Sequence, residues 1–151
     1  MQLMNELESW LDVIGYEGLY RISNSGKVKT LHPGKKRYGS ILKHGVNSKG
    51  YAMVVLCNNG NKKNVELHRL VATAFINNAN NKPAVNHIDG NPLNNHVSNL
   101  EWCTIAENNK HARSMGRYGG NRKLTNNKVA AIRLLLSLGL HPKRIARLFN
   151  T

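Results

Sequence analysis

The chain has 151 residues and 16.9 kDa, the size of one domain or of a small core with appended modules. No apolar run approaches the about 20 residues of a membrane span, and no secretory signal begins the chain. Twenty-two Lys and Arg oppose eight acids, and the resulting net charge of +14 indicates a polyanionic partner, with nucleic acid favoured over a membrane surface.

The first third of the chain predicts a small antiparallel β module with basic loops. Alternating residues 19–23 and 27–31 flank a turn at 24–26 and predict a hairpin. The apolar run 51–57 predicts a buried-type strand, and a turn at 58–61 leads into another strand.

The rest of the chain predicts helices around two short strands. Apolar spacing predicts a helix over 68–76, and strands are expected at 84–88 and 100–103. Thr104 followed by Glu107 has the form of a capping box, so a second helix should begin there and end near residue 115. After a glycine-rich linker, two helices should follow, the first ending at Gly139.

The charges are unevenly distributed along the chain. Ten Lys/Arg and no acid lie between residues 18 and 65, and ten Lys/Arg and no acid lie from 108 to 151. These two cationic arms predict phosphate contacts, although a solvated basic face is the alternative. The candidate DNA-binding residues are Arg21, Lys27, Lys29, Lys35, Lys36, Arg37, Lys43, Arg113, Arg117, Arg122, Lys123, Lys143, Arg144 and Arg147.

One constellation has the character of a catalytic site. A strand ends in Asn86-His87, a loop leads to Asn99 and the next strand, and Asn108 follows on a helix. This order resembles the ββα-metal motif of HNH nucleases. With His68-Arg69-Leu70-Val71-Ala72 ahead of it, the match is similar to the HNH endonucleases encoded in phage group I introns.

Two flanking segments extend the resemblance. Residues 10–28 resemble the nuclease-associated module that precedes HNH domains in homing endonucleases, and residues 123–149 resemble the first two helices of a helix-turn-helix. The resemblance implies an N-terminal β module (1–66), a nuclease core (67–115), and a linker with helix-turn-helix-like helices (116–151). The expected fold is an elongated α+β chain with a small antiparallel β module, a ββα-metal core and a C-terminal helical DNA-binding tail.

The resemblance implies a metal-dependent DNA endonuclease of homing type. His87 would be the general base, a role that suits an imidazole near pH 7, and Asn99 would hold the loop that orients it. Asn86 and Asn108 would bind one divalent ion per site, Mg²⁺ or Mn²⁺, because Mg²⁺ takes oxygen ligands and needs few protein groups.

Asn86 departs from the family pattern, in which Asp or His often precedes the catalytic His. Two neutral ligands predict weak metal affinity and leave open that this copy is catalytically impaired. Asp89, favoured as a turn residue, and His111, one turn after Asn108, are the other candidate ligands. His68 is expected in a structural hydrogen bond at its helix start.

Three function classes remain open. The first is a site-preferring nuclease that acts on double-stranded DNA in the cytoplasm of a bacterial host, if phage-encoded. It would nick one strand as a monomer, with a dimer as the alternative. The second is a non-catalytic DNA-binding regulator or degenerate nuclease. The third is an RNA-binding protein, which the absence of an aromatic RNP signature disfavours.

DNA binding should weaken steeply with salt, because phosphate contacts release counterions. If about 6–10 phosphates are contacted, affinity should fall about 10³- to 10⁵-fold between about 50 and 200 mM salt. Fluorescence anisotropy with a labelled duplex measures this slope, and a flat salt dependence would contradict the interpretation of the cationic arms.

Overall fold

The structure is a computed structural model that describes residues 7–33, 37–116 and 126–149. Two small antiparallel sheets form the N-terminal part. In the first, β2 (Tyr20–Ser23) pairs with both β1 (Trp10–Asp12) and β3 (Val28–Thr30). The predicted hairpin at residues 19–31 is confirmed, whereas β1 was not predicted.

The second sheet places β5 (Ala52–Asn58) between β4 (Gly45–Val46) and β6 (Asn61–Glu66). The β5–β6 turn has positive φ at both Asn59 and Gly60, as a tight hairpin turn requires. The predicted strand is confirmed, but its buried character holds for one face only. Its inward residues Val54 and Leu56 are buried, but the side chain of Val55 is 51% exposed, because only one face of this sheet packs on the core.

A ββα unit follows helix α1 (Leu67–Phe75). Strands β7 (Ala84–His87) and β8 (Leu100–Cys103) pair in an antiparallel hairpin, and a 3₁₀ helix over Val97–Asn99 immediately precedes β8. Helix α2 (Ile105–Ser114) begins with the predicted capping box, in which Thr104 and Glu107 bond each other's backbone amides. The helix then packs against β7.

One hydrophobic core joins strands of both N-terminal sheets, helix α1 and the β7–β8 hairpin. It is built from Val13, Tyr20, Ile22, Val28, Ala52, Val54, Leu56, Leu67, Val71, Ala72, Val85 and Leu100. Trp102 packs at its edge and donates its indole N–H to the carbonyl of Ile76 at 3.1 Å. Tryptophans are typical core aromatics, but Trp10 lies outside this core. Its ring instead lies 4.2 Å from the ammonium group of Lys29.

The chain divides into two compact units, Met1–Met115 and Gly116–Thr151. In the second unit, α3 (Asn126–Ser137) contacts α4 (Pro142–Phe149), and Gly139 lies between them with φ +79°. Ile145 on α4 is buried. The predicted linker after Gly116 lies outside the described residues, and the three-part division of the chain stays a prediction. None of the helices in the described ranges is long and apolar enough to cross a membrane.

Candidate active site

The candidate site is built where β7 ends and the loop to β8 begins. In the β7–β8 register, Asn86 lies opposite Glu101 and His87 lies opposite Leu100. Because alternate strand residues face opposite sides, Asn86 and His87 project to opposite faces of the hairpin. Both are nonetheless almost fully buried, with 6% and 5% of their surfaces exposed.

Asn99 closes the loop that follows His87. Its side-chain Oδ1 accepts the amide of Asp89 at 2.9 Å, and its Nδ2 donates to Asp89 Oδ1 and to the carbonyl of Asn94. Its backbone carbonyl accepts the amide of Ile88 at 2.8 Å. The start and the middle of the loop are thus bonded to one buried carboxamide residue next to β8.

Asp89 is committed to the same loop. Its carboxylate accepts hydrogen bonds from the side chains of Asn94 and Asn99 and from the amide of Asn91. The bond from Asn94 makes the largest contribution to lowering the pKa of Asp89 below its ordinary value, followed by those from Asn91 and Asn99. Each of these contacts belongs to the turn, in line with the sequence interpretation of Asp89 as a turn residue.

The imidazole of His87 contacts Asn95, Tyr51 and His68. Its Nε2 lies 3.2 Å from Oδ1 of Asn95. The rings of Tyr51 and His68 lie against it, with centroid distances of 6.0 and 5.1 Å. Tyr51 and His68 also contact each other at 4.9 Å, so the three rings form a compact cluster.

His68 is a buried, neutral member of this ring cluster. It is the second residue of α1, and its Nε2 lies 3.5 Å from a carboxylate oxygen of Glu66. Its Nδ1 is buried and has no hydrogen-bond partner among the described atoms. Burial, with smaller contributions from His87 and Arg69, lowers its pKa to about 4. His68 therefore carries no charge against His87 at neutral pH.

The predicted metal ligands lie on β7 and α2. Nδ2 of Asn86 donates to a carboxylate oxygen of Glu101 at 2.8 Å, which turns Oδ1, a hard oxygen donor, away from that carboxylate. Asn108 is half-buried on α2, the helix that packs against β7. His111, the alternative ligand, lies on the same helix and is also half-buried. In the described ranges, no group of three His, Cys, Asp or Glu side chains could hold a metal ion.

Several predicted DNA-binding cations in the first unit have local partners. Arg21 pairs with Asp12 at 2.8 Å, Lys27 pairs with Glu8 at 3.1 Å, and Lys29 lies over Trp10. Such exposed pairs contribute only about 0–1 kcal/mol, so an approaching phosphate can displace them. Arg37, Lys43 and Arg113 are exposed, as are Lys143, Arg144 and Arg147 on α4. Lys35, Lys36, Arg117, Arg122 and Lys123 lie outside the described residues.

The sequence analysis missed four residues of the site. Tyr51, His68 and Asn95 surround His87, although His68 was considered only as a helix-start residue or ligand. Glu101 bonds Asn86, and only the strand register could have indicated this pair. Nothing in the local sequence distinguishes Asn95 or Tyr51, because their contacts with His87 are tertiary.

Two segments of the chain match known protein families. The NUMOD4 motif matches residues 8–57 and the HNH endonuclease family matches residues 65–110. The DNA endonuclease I-HmuI of Bacillus phage SP01 is 38% identical over 107 residues, which cover 71% of this chain and 59% of I-HmuI. An uncharacterised HNH endonuclease of Acanthamoeba polyphaga mimivirus is 42% identical over 92 residues, which cover 61% of this chain and 26% of that protein.

The fold agrees with these matches. A solved structure of I-HmuI, described as showing DNA binding and cleavage by an HNH homing endonuclease, superposes with a TM-score of 0.64. The two sequences are 33% identical, and the match covers 85% of this chain and 68% of that one. The chain belongs to the HNH homing endonuclease family. It spans 26% and 59% of the lengths of the two curated relatives named above.

The burial of His68 should make folding stability depend on pH. The unfolded chain binds a proton at His68 below about pH 6.5, whereas the folded chain does so only near pH 4. The unfolded state therefore binds more protons between these values, and the free energy of unfolding should fall on acidification by up to about 1.4 kcal/mol per pH unit. Urea titrations from about pH 7 to 4 should show a flatter dependence for His68→Phe.

His44→Gln is the matched control, because His44 is exposed. It should leave the pH dependence as it is in the unmodified protein. If the free energy of unfolding changes with pH equally in His68→Phe and in the unmodified protein, His68 does not titrate in this way.

Proposed function

We propose that this protein is a site-preferring, divalent-metal-dependent endonuclease that hydrolyses phosphodiester bonds of double-stranded DNA. The observation that carries the proposal is the buried His87, which is oriented through Asn95, packs against the rings of Tyr51 and His68, and follows Asn86 in the sequence. The relative I-HmuI, by its name a DNA endonuclease, supports the substrate class. Because the described residues form one such histidine site, a monomer would nick one strand.

His87 would be the general base that removes a proton from the attacking water. The contact with Oδ1 of Asn95 is satisfied when Nε2 carries the imidazole proton, which assigns the lone pair of the neutral ring to Nδ1. Neutral His68 next to it adds no positive charge that would oppose protonation of His87. Asn99 would act as a positioning residue, because its bonds hold the loop and not the reacting groups.

The donor set fits one hard cation, Mg²⁺ or Mn²⁺. Oδ1 of Asn86 and the carboxamide of Asn108 would hold it, with water and a DNA phosphate as further ligands, since Mg²⁺ keeps several waters and accepts oxygen donors. When bound, the ion would neutralise charge on the scissile phosphate and its leaving oxygen. Two neutral ligands would bind it weakly before DNA arrives.

DNA binding would use cationic residues that precede and follow the nuclease core in the chain. On α4, the exposed cations Lys143, Arg144 and Arg147 share a helix with the buried Ile145. These residues would hold the phosphate backbone, and the helices of the second unit would add affinity and site preference. The phage relatives support action in the bacterial host cell.

One observation favours a second candidate, a DNA-binding protein without cleavage activity. Asn86 and Asn108 leave the proposed metal site without a carboxylate ligand, and Glu101 is bonded to the amide end of Asn86. Cleavage of supercoiled plasmid with Mg²⁺ discriminates the two functions. Open-circular product indicates nicking, linear product indicates a double-strand cut, and unchanged plasmid with normal DNA binding favours the second candidate.

Asn86→Asp should tighten Mg²⁺ binding, because it places a negative charge at the proposed ligand. The same change removes the donor to Glu101 and sets two carboxylates side by side, so the metal-free variant should be less stable than the parent. Calorimetric Mg²⁺ titration and melting with and without Mg²⁺ measure both effects. Asn64→Asp, at an exposed position of β6, adds the same charge outside the site and should change neither. If Asn86→Asp binds Mg²⁺ with the affinity of the parent, Asn86 is not a metal ligand.

His87→Ala should lower the nicking rate by about 10²- to 10⁴-fold, the range that general-base catalysis supplies. Duplex affinity should change little, because the imidazole is buried and is not a phosphate contact in this scheme. His44→Ala, at an exposed position outside the β7–β8 loop, is the control and should keep the parental rate. Parental cleavage by His87→Ala would contradict the assignment of the base.

A further inference from the structure

We propose that the β2–β3 turn of the N-terminal module, residues 24–26, is a positioning element of the nuclease site that acts through Asn95 on His87. This inference rests on the proposed function of His87 as the general base. It assigns to the N-terminal module a role in the chemical step, in addition to any contact with DNA.

Asn95 orients the imidazole of His87 through a side-chain contact. The Asn95 side chain is buried, and its Nδ2 donates to the carbonyl of Leu93 at 3.1 Å. That bond orients the carboxamide, so that Oδ1 faces Nε2 of His87 at 3.2 Å. The reverse orientation would set a carbonyl oxygen against the oxygen of Leu93. Asn95 therefore selects the imidazole form with the proton on Nε2.

The β2–β3 turn packs directly against the backbone of Asn95. Gly26 is buried in this turn with φ +82°. A Cβ atom at Gly26 would lie 2.9 Å from Cβ of Asn95 and 3.2 Å from its carbonyl oxygen. Neither atom is the end of a flexible side chain, so the loop itself would have to move. Glycine is required here for the close approach as well as for the positive φ.

A hydrogen bond ties the same turn to the loop on the other side of Asn95. The amide of Val97 donates to the carbonyl of Asn24 at 2.8 Å. Val97 is the first residue of the 3₁₀ helix, where an amide has no partner within the helix. The loop is therefore held by Asn99 through the carbonyl of Asn94, and by the N-terminal module through Gly26 and Asn24.

Displacement of the loop would move the Oδ1 atom that orients the base. A misplacement of about 1 Å can reduce a catalytic rate by about 100-fold. DNA affinity depends on many phosphate contacts and should be insensitive to this shift. Loss of the turn contact should therefore reduce kcat for nicking and leave the KM for DNA nearly unchanged.

Gly26→Ala tests the close approach, and Gly60→Ala is its matched control. Both glycines have φ +82°, but a Cβ at Gly60 would meet nothing within 4 Å. The two variants share the backbone strain and differ in the contact with Asn95. Gly26→Ala should lose about 10- to 100-fold in kcat, whereas Gly60→Ala should keep the parental value. Equal kcat values for the two variants would overturn the proposal.

Val97→Pro tests the hydrogen bond if Gly26→Ala does not fold. Proline is tolerated at the first position of a helix, and the preceding His96 already has the extended backbone that proline requires. Val97→Ala reduces the side chain but keeps the amide, and it is the matched control. Val97→Pro should reduce kcat relative to Val97→Ala, and equal values would count against the turn as a positioning element.

The effects should depend on Asn95. In an Asn95→Ala background, the oriented carboxamide is already absent, so Gly26→Ala should cause little further loss of kcat. If Gly26→Ala lowers kcat by the same factor in the Asn95→Ala background as in the parent, the turn does not act through Asn95.

A spectroscopic readout separates this inference from the proposed function. The ¹⁵N shifts of the His87 ring at pH about 8, where an ordinary histidine is neutral, report which nitrogen carries the proton. The parent and Gly60→Ala should have the proton on Nε2, whereas Asn95→Ala and Gly26→Ala should show a mixture of the two forms. This result does not require cleavage. If His87→Ala still cuts DNA, the proposed function fails, while unchanged ring shifts in Asn95→Ala and Gly26→Ala would refute the positioning role itself.

Discussion

The hydrogen bonds of Asn99 are the interaction on which the candidate site depends. The loop between β7 and β8 mixes exposed residues with buried ones, and a polar group left unpaired at a buried position would be costly. One buried carboxamide bonds the amide of Asp89, the carboxylate of Asp89 and the carbonyl of Asn94. Because a carboxamide has both donors and an acceptor, it can do this without a net charge. His87 ends β7 immediately before this loop, so its backbone position follows from these bonds.

The acidic residues in and next to the nuclease core each contact neighbouring residues, in a protein whose net charge is +14. Glu107 caps α2 and pairs with Lys82, and Asp89 is bonded within the loop. Glu101 accepts from Asn86, and Glu66 accepts from Asn47 and lies near His68. Carboxylates committed in this way have defined positions. Lys and Arg outnumber the acids, so the exposed cations of the two arms supply the positive charge that would contact a DNA backbone.

The N-terminal module and the nuclease motif share one hydrophobic core. Ile22 and Val28 from the first sheet, and Val71 and Leu100 from the nuclease segment, are buried in the same cluster. This shared packing brings the β2–β3 turn against the loop of Asn95. The division of the chain near residue 66 therefore marks two sequence motifs and does not separate two cores. The C-terminal helices, in contrast, form their own compact unit.

Local signals in the sequence determined most elements. The capping box of Thr104 and Glu107, the turn before Gly60 and the helical spacing of α1 depend on residues close in the chain, and each element was predicted near its observed bounds. The order of Asn86, His87, Asn99 and Asn108 was sufficient to indicate the family. The short strands β1 and β4 were missed, whereas β3, which is as short as β1, was predicted from the alternation over 27–31 and the turn before it.

Only the tertiary structure decided how the imidazole of His87 is held. Tyr51 is 36 residues from His87 in the chain, yet its ring lies 6.0 Å from the imidazole. His68 became neutral through burial, which no local pattern encodes. Asn95 is distinguished from the other asparagines of its loop by the Leu93 carbonyl and the Gly26 turn against it. The sequence by itself therefore determined the elements and the family through short-range patterns, whereas the positions of these partners depend on long-range packing in one shared core.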